Sequence, residues 1–175
     1  MNPFKTIIPG LFALLLLGAC TQKTGNNAEV FRYTNSVDIA YGSDICSFSD
    51  EVISTVRYGG RMTLNNGKVH KFMSVECTAG YYLSMDDNSR ITKIEIVDFA
   101  HGQKYMPVEE LVFLQSSLRP SPSGLSLTAI DASNEKMKAY IYDAYPGDFY
   151  TWNEVLEIVE KEWGLTAGTS KTAMK

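Results

Sequence analysis

Basic residues never cluster in this chain: 16 Lys and Arg face 20 Asp and Glu, the net charge is −4, and no Lys or Arg run breaks the pattern. A surface that grips nucleic acid phosphates needs such a footprint, so DNA and RNA are excluded as partners. Histidine is scarce as well, with only His70 and His101. Neither stands in a Ser/His/Asp or Cys/His order and no Gly-rich phosphate loop is present, so the chain reads as non-catalytic. Asp86-Asp87-Asn88 lacks the Gly and distal Glu of a calcium loop and reads as a solvated turn. The longest apolar run, Ile7 to Leu17, falls short of the roughly 20 residues that span a bilayer.

That short run has another meaning. Lys5 precedes it and the small residues Gly18 and Ala19 follow, which is the anatomy of a signal peptide over residues 1–19. Leu17-Gly18-Ala19-Cys20 resembles the lipobox of bacterial lipoprotein precursors, in which the Cys thiol is diacylglycerylated and cleavage frees its amino group for another acyl chain. Cys20 is therefore the expected lipidation site. Two or three acyl chains anchor a protein stably where a single chain is marginal. The folded part is expected on a membrane, facing the periplasm or the cell exterior, with the inner or outer membrane left open. Removal of Lys5 takes the net charge from −4 to −5 and leaves about 156 residues, enough for one hydrophobic core.

Of three cysteines, lipidation leaves Cys46 and Cys77. As a disulfide they would close a loop of about 31 residues, worth roughly 3.5 kcal/mol on the chain-entropy account. They serve equally as two soft ligands, or as buried thiols, and their spacing does not choose.

Residues 21–30 are mostly small and polar, which suits a flexible spacer, and Cys20 with this spacer is taken to span residues 20–35. Val52 to Leu64, the turn Asn65-Asn66-Gly67 and Lys68 to Phe72 predict a β-hairpin. Ser74 caps a predicted helix with Val75, Ala79, Tyr82 and Leu83 on its stripe, ended by Asp86-Asp87-Asn88; a strand follows over Arg90 to Asp98. The same order then recurs. Strands are predicted over Glu110 to Gln115 and Gly124 to Ile130, then a helix from Ser133 burying Met137, Tyr140, Ile141 and Ala144. A brief strand over Asp148 to Tyr150 leads to the capping box Thr151/Glu154 and a last helix with Trp152, Val155, Leu156 and Val159 inward. The expectation is an α+β fold of two consecutive β-β-α-β units in one compact domain, residues 36–164, with a disordered tail over 165–175.

Asp44-Ile45-Cys46-Ser47-Phe48-Ser49-Asp50-Glu51-Val52-Ile53 is similar to a pattern Asp-x-Cys-x-x-Cys-Gly-Met-x-Ile. Phe72-Met73-Ser74-Val75-Glu76-Cys77 is similar to Phe-Asp-Asp-Ile-x-Cys, Pro122-Ser123-Gly124 to Pro-Met-Gly, with Ala129 beyond it, and Tyr150-Thr151-Trp152 to a closing aromatic segment. In this order, from Asp44 to Glu160, the chain resembles the NosL family, lipoprotein accessory factors for maturation of the copper enzyme nitrous oxide reductase. The resemblance implies a NosL-like fold, copper(I) as cargo, and a copper enzyme or its assembly machinery as partner. It makes Cys46 and Cys77 the candidate metal ligands, with Met73 and Glu51 subsidiary to them.

The departures fall on sulfur. Ser49 stands at the second Cys, and Glu51 and Ser123 at the two Met positions. Copper(I) is soft and prefers thiolate and thioether, so a hydroxyl or carboxylate replaces them poorly. A diverged interaction module without metal is the competing expectation. Met73 reads first as core filler, and His70 and His101 as surface residues. Replacing Cys20 with Ala is expected to abolish incorporation of labelled palmitate and to move the protein from the membrane to the soluble fraction on centrifugation.

Overall fold

The computed structural model describes residues 38–165. The expected signal peptide, Cys20 and spacer, and all but the start of the tail, lie outside the described residues. Gly67 adopts a φ of +80° and the Asn66 carboxamide accepts from the Lys68 amide at 3.0 Å, so Asn65-Asn66-Gly67 does turn the chain. It joins β1 (Gly60–Leu64) to β2 (Val69–Phe72), which pair antiparallel from Gly60 against Phe72 to Thr63 against Val69. Helix α1 (Val75–Leu83) follows, its N-cap Ser74 accepting from the Cys77 amide at 3.1 Å. The chain returns as β3 (Ile91–Val97) on the other side of β1 and adds β4 (Tyr105–Pro107), giving the order β2-β1-β3-β4.

The second unit repeats the plan. Strand β5 (Leu111–Gln115) is central, β6 (Leu127–Asp131) lies on one side of it, α2 (Glu135–Ala144) crosses, and β7 (Asp148–Tyr150) lies on the other side. In each unit the first strand is flanked by the second and third, and every pairing is antiparallel. The fold is therefore α+β, as expected. Helix α3 (Trp152–Trp163) closes it, with both bonds of the Thr151/Glu154 capping box formed and Gly164 left-handed beyond its end. One core joins the two units, from Ile53, Met62, Phe72 and Ile96 to Phe113, Leu127, Val155 and Val159.

Several boundaries differ from the sequence pattern, each for a local reason. Val52 belongs to no long strand; it makes one bridge to Ile45, and β1 starts only at Gly60, where a Cβ would collide with the Thr78 hydroxyl. Strand β6 begins at Leu127 instead of Gly124, because Gly124 (φ +93°) and Ser126 (φ +62°) are left-handed. Asn134, not Ser133, caps α2, while the Ser133 hydroxyl turns back to Asp131. Within α2 only Ile141 is fully buried; Tyr140 and Ala144 face solvent. Helix α1 ends at Leu83, and Asp87 caps a separate 3-10 turn, Asn88–Arg90. Strand β4 is an addition with no counterpart in the predicted units; its three residues are too few to show alternation.

His70 is buried, contrary to its surface reading: it is on β2 opposite Met62, and its Nε2 lies 3.1 Å from the Tyr81 hydroxyl on α1. His101 is half exposed as expected, but it has a carboxylate partner three residues away, with Nδ1 at 2.5 Å from the fully buried Asp98. Phe113 is fully buried, its ring 5.8 Å from Trp152, which ties the second sheet to α3. Phe113→Ala is expected to lower unfolding free energy by about 3–5 kcal/mol, read from the urea midpoint.

Candidate metal site

Cys46 starts a tight loop. Its amide donates to the Glu51 carbonyl at 2.7 Å and its carbonyl accepts from the Asp50 amide at 3.0 Å, with Asp50 left-handed at a φ of 60°. Asp is one of the few residues besides Gly that tolerates this conformation. Position 50 is where the pattern similar to this segment carries Gly, and Gly124, the other pattern glycine, is left-handed too. The loop is pinned by Phe48, stacked on Trp163 of α3 at 5.4 Å. Both rings press on Gly80 of α1, where a Cβ would stand 2.8 Å from each of them. A helical glycine has here a packing reason.

Cys77 is in the first turn of α1, and both it and Cys46 are free thiols, buried and close enough that each perturbs the acidity of the other. The contact makes their acidities unequal. Cys46 is held well below an ordinary thiol because it accepts from the Cys77 thiol; burial opposes this, and further bonds from the Ser49 hydroxyl and the Ser49 and Phe48 amides assist it. Cys77 moves the other way, since it donates to Cys46 and is itself buried.

A cavity of about 340 Å³ is lined by Ser49, Glu51, Met73, Cys77, Ser123 and Trp163 among others; of the two thiols only Cys77 lines it, and Cys46 is fully buried behind it. Glu51 and Gly124 at its edge are exposed, so it opens to solvent. The Ser49 hydroxyl donates to Met73 Sδ at 3.3 Å, and Ser123 Oγ lies 3.1 Å from Cys77 Sγ and 2.7 Å from Ser74 Oγ. The structure thus gathers the three departures, Ser49, Glu51 and Ser123, around one cavity with Cys77 and Met73. Among the described residues no three of His, Cys, Asp and Glu converge, so Glu51 does not stand with both thiols. His70 and His101 do not line this cavity.

Glu76 is a participant that the sequence did not reveal, because an acidic residue in a first helical turn ordinarily faces water and favours the helix dipole. Here it is fully buried: Oε1 accepts from the Ser121 hydroxyl and from the Leu127 amide at 3.2 Å, and Oε2 has no partner. Ser121 also accepts from the Ser126 amide at 2.9 Å, so one carboxylate holds both ends of the loop that carries Ser123 to Cys77. Burial raises its pKa above the usual carboxylate range, against the opposing hydrogen bonds.

This arrangement defines an α+β fold of two β-β-α-β units with a thiol pair at a cavity between helix and loops. The fold is shared with the crystal structure of the copper chaperone NosL from Shewanella denitrificans: the TM-score is 0.54 at 15% identity, over 64% of this chain and 89% of that one. No protein-family model and no curated protein matches the sequence.

A buried carboxyl with a raised folded-state value binds its proton more tightly folded than unfolded, so it favours folding at low pH and opposes it as pH rises past the ordinary value of 4.5. Glu76→Gln keeps an acceptor for Ser121 and Leu127 without the charge. Its urea midpoint is expected to match wild type near pH 4 and to exceed it progressively towards pH 8.

Proposed function

We propose that this protein is a membrane-anchored, extracytoplasmic accessory lipoprotein that carries copper(I) and hands it on during assembly of nitrous oxide reductase or a related copper enzyme. The observation that carries this reading is that two free thiols interact, one of them, Cys77, lining an open cavity together with Met73. Thiolate and thioether are the donors copper(I) prefers, and it accepts low coordination numbers that two thiols and one thioether satisfy. Ligation needs deprotonated sulfur; Cys46 loses its proton more readily than an ordinary thiol, whereas Cys77 holds its proton more tightly and has to give it up on binding. Release by ligand exchange needs access, which the exposed edge of the cavity provides. The fold shared with a copper chaperone adds support. Acylation of Cys20 is the proposed anchor.

A second reading is favoured by the hard donors at Ser49, Glu51 and Ser123: a NosL-like interaction module that binds a protein of the same pathway and no metal. Anaerobic titration of the reduced chain with copper(I) against a chromophoric chelator separates the two. A carrier is expected to compete for one copper(I), with affinity reduced by at least roughly 100-fold in Cys46→Ser and Cys77→Ser, since each removes a principal ligand. Absence of competition by wild type would defeat the copper role and favour the interaction module.

A further inference from the structure

We infer that Ser49 and Ser123 are positioning residues, holding the sulfur donors of this site by hydrogen bonds without binding the ion. The inference rests on the copper(I) reading and assigns the two positions where hydroxyls replace sulfur. Ser49 aims its proton at Met73 Sδ, so the loop that starts at Cys46 is tied to the residue just before the N-cap of α1. A thioether is a weak acceptor, and this bond holds Met73 Sδ at the cavity wall beside Cys77.

Around Cys77 the proton bookkeeping has one direction. As a ligand thiolate its sulfur only accepts, so the hydroxyl of Ser123, 3.1 Å away, must donate to it. Ser123 Oγ then has no proton left for Ser74, 2.7 Å away, and Ser74 must donate to Ser123. Ser74 Oγ is free to do so because it already accepts from the Cys77 amide. The relay runs from the Cys77 amide through Ser74 and Ser123 back to the Cys77 sulfur. It is closed by side chains from α1 and from the loop that Glu76 clamps, and is thus built before any ion arrives. Neutral hydroxyl oxygen is a hard donor with little affinity for copper(I), whereas a hydroxyl that donates to thiolate stabilises the ligand's charge.

The test compares the full chain in detergent with S49A, S123A and S123T, using copper(I) alone as probe. It reads affinity by chelator competition, the metal's neighbours by X-ray absorption, and folding by circular dichroism. Expected are a sulfur-only shell in wild type, the same shell in S49A and S123A, roughly tenfold weaker binding in each of these, and near wild-type binding in S123T, which keeps the hydroxyl. An oxygen neighbour in wild type that disappears in S49A or S123A would overturn the inference by making that serine a ligand. Unchanged affinity in the folded alanine variants, or weak binding in folded S123T, would overturn it as well. If wild type does not compete for copper(I), the carrier reading falls and this inference with it; if wild type binds and only the serine variants behave otherwise than expected, the carrier reading stands.

Discussion

The Glu76 carboxylate, buried at the start of α1, is the constraint from which the site follows. It reaches from the first unit to the second, bonding the Ser121 hydroxyl and the Leu127 amide. Removing a charge from water is unfavourable, and only part of that is offset when one oxygen has partners and the other has none. What the arrangement provides is position. The loop between β5 and β6 is held over the N-terminus of α1, so Ser123 meets Cys77 and one wall of the cavity is fixed.

The opposite wall is fixed by aromatic packing. Phe48 and the Trp163 ring stacked on it both press on Gly80, so the loop of Cys46 is seated on α1 and α3 together. The two cysteines are distant along the chain and approach only because both walls meet at α1. Their interaction lowers the pKa of Cys46 and raises that of Cys77, so the sulfur on the loop ionises more readily than the one on the helix.

Two backbone positions connect the loops to the family pattern more firmly than their side chains do. Asp50 and Gly124 are both left-handed, and both stand where the pattern carries Gly. The turns have the left-handed shape that a Gly in the similar pattern would serve, while Ser and Glu stand at the positions where that pattern has sulfur. A backbone demand is read by φ, which few residues satisfy, whereas a ligand position on a cavity wall accepts any side chain that fits.

By itself the sequence determined the two β-β-α-β units, the hairpin at Asn65-Asn66-Gly67, the Ser74 cap and the Thr151/Glu154 capping box, because period, turn and cap signals act within a few residues. It also brought forward Cys46, Cys77, Met73 and Glu51 as the residues to watch. Tertiary structure alone decided that the thiols are free and interact, that Met73 lines the cavity together with Cys77, and that Glu51 stays at the edge. It likewise decided the burial of His70 and Glu76, two polar residues whose neighbours along the chain call for exposure. These outcomes depend on partners many residues away, whose approach is set by packing of α1 between sheet, loop and α3; local pattern carries no record of them.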